Sequence, residues 1–223
     1  MTPARARTVH LVVAVVAWGA VLFQLVLVLM GSAVLVEEDP PSLGESIYRF
    51  FAYFTIQSNL LVAVASSVLA RDPLASQPWW RVVRLAGLVG ITVTGLVHFF
   101  LLRPLLDLDG ADYVADKVLH MVVPVLAIAA WAWCGPRPRV VRREIAYALA
   151  WPVAWTTWTL VAAQASGWVP YPFMDADKDG WGPVVVACVA ITVLFLALFA
   201  LAAWLDRRLP AVPVDGSADT ALG

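Results

Sequence analysis

The chain has 223 residues, 61% of them hydrophobic and 14% charged, with a formal net charge of −1 and a mean hydropathy of +0.81. A soluble domain of this length cannot hide so much apolar surface from water, so lipid must cover much of it and one membrane-embedded bundle is expected. The near-neutral balance gives no general attraction to nucleic acid or to an acidic partner, and the placement of individual charges has to carry the information.

The first apolar run, residues 11–36, follows a basic start containing Arg5 and Arg7. A signal-peptide core holds roughly 7–15 apolar residues, whereas this run is long enough to span with tilt, so it reads as a retained first transmembrane helix. Further runs occupy residues 50–70, 82–102, 118–134, 145–165 and 184–205. Each is near the ~20 residues a helix needs to cross a hydrocarbon core of ~30 Å. The runs are continuously apolar rather than alternating, which predicts helices and not the strands of a barrel, because a helix satisfies its own backbone in lipid. The expected fold is therefore all-α, a polytopic bundle of six transmembrane helices over residues 10–205. A cytoplasmic N-terminus (1–9) precedes it, and a disordered cytoplasmic tail (206–223) containing Pro210, Pro213, Gly216 and Ser217 follows. Pro124 and Pro152 read as kinks, since neighbouring helices can serve the carbonyls they free. The chain shows no internal repeat of the kind that builds transporters from inverted halves.

Loop charges set the orientation. With the N-terminus inside, the cytoplasmic side holds Arg5, Arg7, Arg71, Arg81, Arg84, Arg137, Arg139, Arg142, Arg143, Arg207 and Arg208, leaving Arg49, Arg103, Lys117 and Lys178 outside. This asymmetry predicts both termini in the cytoplasm of a multi-pass cell-membrane protein. The outer loops are acidic, with Glu37, Glu38, Asp39 and Glu45, then Asp107, Asp109, Asp112 and Asp116, then Asp175, Asp177 and Asp179. They read first as a solvated rim. Asp175, Asp177, Asp179 and Gly180 match the opening of a calcium loop, but Val186 stands where its bidentate glutamate belongs, so an acidic turn is preferred. Tryptophans 79, 80, 133, 168, 181 and 204 fall near segment ends, where interfacial anchors sit. Cys134 and Cys188 are expected to be small buried side chains without a disulfide or metal.

Polar groups inside spanning segments are costly unless they face a partner or a wet cavity, which makes them the best functional pointers. Tyr53-Phe54-Thr55-Ile56-Gln57-Ser58-Asn59 places Thr55, Ser58 and Asn59 at i, i+3 and i+4 on one helix face, and Ser66 extends it. Two accounts of this stripe stand: glue between helices, which suits Ser58 and Ser66, or the lining of a site. His98 and His120 lie near the outer ends of the third and fourth helices, whereas His10 lies at the cytoplasmic edge. At ~1.5 Å per residue, Thr55, His98 and His120 all fall roughly 7–12 Å below the outer boundary. Asp116 precedes His120 by one helical turn, where it can orient the ring toward Thr55 as a nucleophile-base pair requires. Trp151, Trp155 and Trp158 form a face that reads either as an acyl-chain pocket or as ordinary packing.

The Tyr53 to Asn59 motif, Leu119-His120 followed by Pro124, and Tyr171-Pro172-Phe173-Met174-Asp175 resemble a bacterial family of six-helix membrane proteins of unassigned function. That family is distantly similar to the eukaryotic androgen-induced (FAR-17a) membrane proteins, and the resemblance covers residues 10–205. In those eukaryotic proteins the histidine stands one residue further from its proline. The resemblance implies a threonine hydrolase acting on fatty-acid esters through one intramembrane threonine and one histidine, here Thr55 and His120. The expectation is a lipid-ester hydrolase without a cofactor, in which Thr55 attacks, His120 is the base and Asp116 orients it. Gln57, Ser58, Asn59 and His98 would contact the substrate, a membrane lipid. The rival is a non-enzymatic carrier or sensor that binds a small solute or proton in the same cavity. Haem ligation by His98 and His120 has no second histidine pair to support it, and a retinal Schiff base has no deep lysine to form on.

Overall fold

Six continuous apolar runs, each long enough to close its own backbone hydrogen bonds across a bilayer, give six long helices. The computed structural model describes residues 2–32, 41–136 and 140–209. Among these residues there is no strand, and six helices are long and apolar enough to cross a membrane: Pro3–Leu29, Phe54–Arg71, Pro78–Leu105, Gly110–Cys134, Arg142–Ser166 and Trp181–Arg208.

Helix α1 (Pro3–Leu29) starts well before the apolar run, because Thr2 accepts from the Arg5 N–H and Pro3 occupies the first helical position, where its missing N–H is not needed. The second run is not one helix. It divides into α2 (Leu43–Ala52) and α3 (Phe54–Arg71) at Tyr53, whose backbone is extended (φ −65°, ψ 127°). A break at this depth frees carbonyls at the end of α2, and side chains supply their partners: Gln57 donates to the Phe51 carbonyl at 2.9 Å and Trp155 to that of Ala52 at 2.8 Å.

The third and fourth spans also depart from regular helix. Helix α4 (Pro78–Val97) continues into a wide π turn, His98–Leu102, followed by Arg103 and Pro104. Helix α5 (Gly110–Lys117) continues into a second π turn, Val118–Val122, before Val123, Pro124 and the rest of α6 (Val123–Cys134). In each case the proline stands two residues beyond the turn and cannot donate the ordinary i to i−4 bond; the residue before it donates instead to the carbonyl five residues back, Arg103 to His98 and Val123 to Val118. Pro152, in contrast, lies within α7 (Arg142–Ser166), which continues through it. The short α8 (Ala176–Asp179) and the long α9 (Trp181–Arg208) complete the chain.

Helix α1 packs on α3, and α3 on α4; α6, α7 and α9 are arranged around α4, with α6 also against α1. Helices α7 and α9 are peripheral: 17% of the most apolar window of each is buried, against 56% for α3. The arginine-rich end of the bundle is cross-tied. Arg84 donates to the carbonyls of Gly135 and Pro136, His10 lies 3.1 Å from the Gly135 carbonyl, Arg81 pairs with Glu144 at 2.7 Å, and Asp206 accepts from Val140 N–H at 2.9 Å.

Several sequence expectations change. Asp206 is a buried residue of α9, so the helix runs beyond residue 205; residues 210–223, expected to be a disordered tail, lie outside the described residues, as do Glu37, Glu38, Asp39, Arg137 and Arg139. Trp80 is fully buried beside Leu69 and Ala75, whereas Trp79, Trp133, Trp181 and Trp204 are exposed. Asp175 accepts from the N–H groups of Asp177 and Lys178 and so caps α8. Cys134 and Cys188 are free thiols.

Candidate active site

The break at Tyr53 puts Thr55 in the first turn of α3, where backbone N–H groups have no helical carbonyl to meet. Thr55 is buried, and its hydroxyl lies 3.2 Å from Nε2 of His120. The other ring nitrogen, Nδ1, is 3.0 Å from the Asp116 carboxylate and also 3.0 Å from the Asp116 backbone carbonyl. Two acceptors thus face Nδ1, which favours a proton there and leaves Nε2 to receive one from Thr55.

The wide turns explain how the histidines meet. A π turn carries an extra residue, shifting the side chains after it around the helix axis. His98 opens one such turn and His120 is central in the other, and their rings stack with centroids 4.0 Å apart. Gly95 permits the approach: a Cβ there would come 3.2 Å from the His120 carbonyl, whose ordinary helical donor Pro124 has removed. Asp116 is the hub. It is buried, not part of a solvated rim, and its Oδ1 lies 2.7 Å from His98 Nε2 while Oδ2 lies 2.7 Å from Lys117 Nζ. A buried carboxylate in this position is matched on both oxygens by close nitrogen partners.

Tyr171, in the loop before α8, completes the group. Its hydroxyl accepts from the Thr55 N–H at 3.2 Å and lies 3.3 Å from the Thr55 hydroxyl. The ring is fixed by Phe173, stacked at 5.3 Å, and by the edges of Tyr53 and Trp155. Burial pushes its phenol above the usual value of 10.0, so it stays protonated and able to donate at neutral pH. Donors and acceptors then form one consistent chain, from Tyr171 to Thr55 to His120 to Asp116.

Of the residues expected to contact substrate, His98 lines a cavity at the site, and Ser58, Asn59 and Gln57 make hydrogen bonds within the bundle. Ser58 donates to the Thr55 carbonyl at 3.0 Å and meets the Thr94 hydroxyl at 2.9 Å. Both donor positions of the Asn59 amide are engaged by the carbonyls of Thr55 and Leu119. Gln57 bridges the Phe51 carbonyl and the Trp151 indole, which donates to it at 2.9 Å. These three therefore hold α3 against α4, α7 and the second π turn, and none offers a hydrogen toward the Thr55 hydroxyl. The donor that does, Tyr171, opens the Tyr171-Pro172-Phe173-Met174-Asp175 motif, but nothing in the sequence assigned it a role at the site.

Two cavities meet at Thr55 and Tyr171. One, of about 250 Å³, lies between α4, α7 and α9, is lined by Val93, Val97, Leu149, Ile191 and Phe195 among others, and includes Trp155 from the tryptophan face. The second, of about 160 Å³, is reached from the loop end of the bundle and is lined by His98, Asp116 and His120 with Ser46, Arg49 and Asp112. Trp158 points away, 62% exposed.

No metal set was expected from the sequence, yet His98, Asp116 and His120 each bring a ligand atom within 4.8 Å of the others, a group that could hold a divalent ion. Lys117 already holds the second carboxylate oxygen, however, and one His120 nitrogen is directed to Thr55.

No known protein family matches the chain, and neither does any curated protein or solved structure.

Proposed function

We propose that this protein is an intramembrane acyl-ester hydrolase with Thr55 as nucleophile, His120 as general base and acid, and Asp116 as the group that orients His120. The observation that carries the reading is the 3.2 Å separation between the Thr55 hydroxyl and His120 Nε2, with Asp116 on the other ring nitrogen. A hydroxyl is a weak nucleophile until a neighbouring base takes its proton, and this is the geometry that does so.

In the acylation step the Thr55 oxygen attacks the ester carbonyl while its proton passes to His120 Nε2. Collapse of the tetrahedral intermediate breaks the bond to the alcohol oxygen, which takes that proton and leaves. Water then attacks the acyl-threonine, gives a proton to His120, and the fatty acid departs as Thr55 regains its hydrogen. The Tyr171 hydroxyl, itself held by the Thr55 N–H at the start of α3, is the donor available to the negative oxygen that develops.

The site lies at the end of the bundle opposite the arginine-rich loops. Together with the positive-inside rule, this supports a cell-membrane protein with both termini in the cytoplasm and the site in the outer half of the bilayer. The resemblance to the androgen-induced membrane proteins points the same way. The test is release of free fatty acid from lipid esters by purified protein in detergent, comparing wild type with Thr55→Ala and His120→Ala. Loss of release in both variants is expected; equal turnover in all three would eliminate the mechanism and favour a carrier that merely binds a solute in the same cavity.

A further inference from the structure

The two cavities differ in chemistry. Among the described residues no charged side chain lines the α4–α7–α9 cavity, whose polar groups are hydroxyls, a thiol and an indole. Its walls include Val153 on the exposed face of α7, and the outer faces of α7 and α9 expose Val161, Val185, Val189 and Val193 where lipid would lie. An acyl chain can reach it sideways from the bilayer. Among the described residues the charged side chains at the site line the second cavity: Arg49 pairs with Glu45 at 2.6 Å and Asp116 with Lys117 and the histidines, while Asp112 accepts from the Ser32 hydroxyl at 2.5 Å. A phosphate headgroup entering there would face the Asp112 and Asp116 carboxylates and would have to displace Glu45 to reach Arg49, whereas a hydroxyl group can both donate to and accept from these groups without displacing them.

We propose that the two cavities divide one substrate at Thr55: a single long acyl chain lies in the α4–α7–α9 cavity, and a neutral alcohol bearing further hydroxyls, of the glycerol class, occupies the polar one. The inference rests on the hydrolase reading for turnover but not for binding. Attack at Thr55 would release the fatty acid and the free polyol, with water as the co-reactant.

The experiment uses full-length protein in detergent with three esters of one long acyl chain: the monoacylglycerol, the lysophosphatidylcholine and the methyl ester. Wild type is expected to favour the monoacylglycerol over each of the others by about tenfold or more. Ile191→Trp and Thr156→Trp, on two different helices, fill the first cavity and should shift preference toward short acyl chains by about tenfold. Ser46→Trp, in the second cavity, should instead narrow the preference for the monoacylglycerol over the methyl ester. Thermal unfolding checks that each variant is folded, and either first-cavity variant serves if the other is not. The proposal is overturned if the three esters are turned over equally, or if chain-length preference moves in Ser46→Trp and not in the first-cavity variants. A separate arm measures binding of a fluorescent monoacylglycerol to Thr55→Ala. Binding there that Ile191→Trp weakens, with no hydrolysis by wild type, would support the cavity assignment and sink only the hydrolase reading; no binding and no hydrolysis would overturn both.

Discussion

Replacing Tyr171 by Phe removes one oxygen and leaves the ring, with its stacking on Phe173 and its edge contacts to Tyr53 and Trp155, in place. Two interactions vanish, that with the Thr55 N–H at 3.2 Å and that with the Thr55 hydroxyl at 3.3 Å. Thr55 is buried, so its N–H is left without an acceptor, at a cost to stability of about 1–3 kcal/mol. If Tyr171 also donates to the developing oxyanion, kcat should fall by about 10²–10³. The two effects are separable, because a turnover assay run well below the unfolding midpoint of both proteins is insensitive to the first. The phenol gives an internal check. Its pKa is raised in the fold, so its contribution to stability is complete below the unfolded value near 10 and is lost as pH rises above that. Wild type should therefore lose thermal stability in strongly alkaline detergent solution, and Tyr171→Phe should lose less of it. A kcat within about threefold of wild type, beside the expected loss of stability, would show that Tyr171 only packs.

Asp116→Asn should lower kcat by about 10²–10³, less than the ~10⁴ seen when such a carboxylate alone fixes the tautomer, because the Asp116 backbone carbonyl still holds Nδ1; single-turnover kinetics would show this, and wild-type rates would remove Asp116 from the mechanism. Gly90→Ala should destabilise by about 1–3 kcal/mol, since its Cβ would sit 2.6 Å from the Trp151 ring, which stacks on Phe54 and anchors Gln57; an unchanged unfolding midpoint would contradict the packing. Zinc ions should inhibit by recruiting His98, Asp116 and His120, with activity restored by a chelator and inhibition weakened in His98→Ala; zinc sensitivity that survives His98→Ala would place the ion elsewhere.

Much of the architecture was legible because the bilayer restricts the choices. Apolar runs near 20 residues long have to become helices, and their number can be counted in the chain. The pairing of Thr55 with His120 was legible too, since polar residues at matched depth on helices of alternating direction have little else to face. What spacing misjudged were the places where helices stop being regular. The pattern from Tyr53 to Asn59 reads as uninterrupted helix, and nothing in it announces that Gln57 and Trp155 will serve a break at Tyr53. Gln57, Ser58 and Asn59, expected to contact substrate, make hydrogen bonds within the bundle. Asp116 was counted with the outer acidic residues and also set one turn before His120; its position beside His120 agrees with the second reading, while its contacts with His98 and Lys117 were not foreseen.

By itself, then, the sequence determined a six-helix apolar bundle with most of its arginines at one end and a hydroxyl, two imidazoles and a carboxylate near the other. The tertiary structure decided which of those groups touch. Apolar periodicity specifies which residues avoid water, but the rotation of one helix against another depends on packing of particular side chains and on local irregularities. Here two π turns, each beside a proline, and one broken helix settle that Asp116 lies between both histidines and that Tyr171, from a distant loop, reaches Thr55.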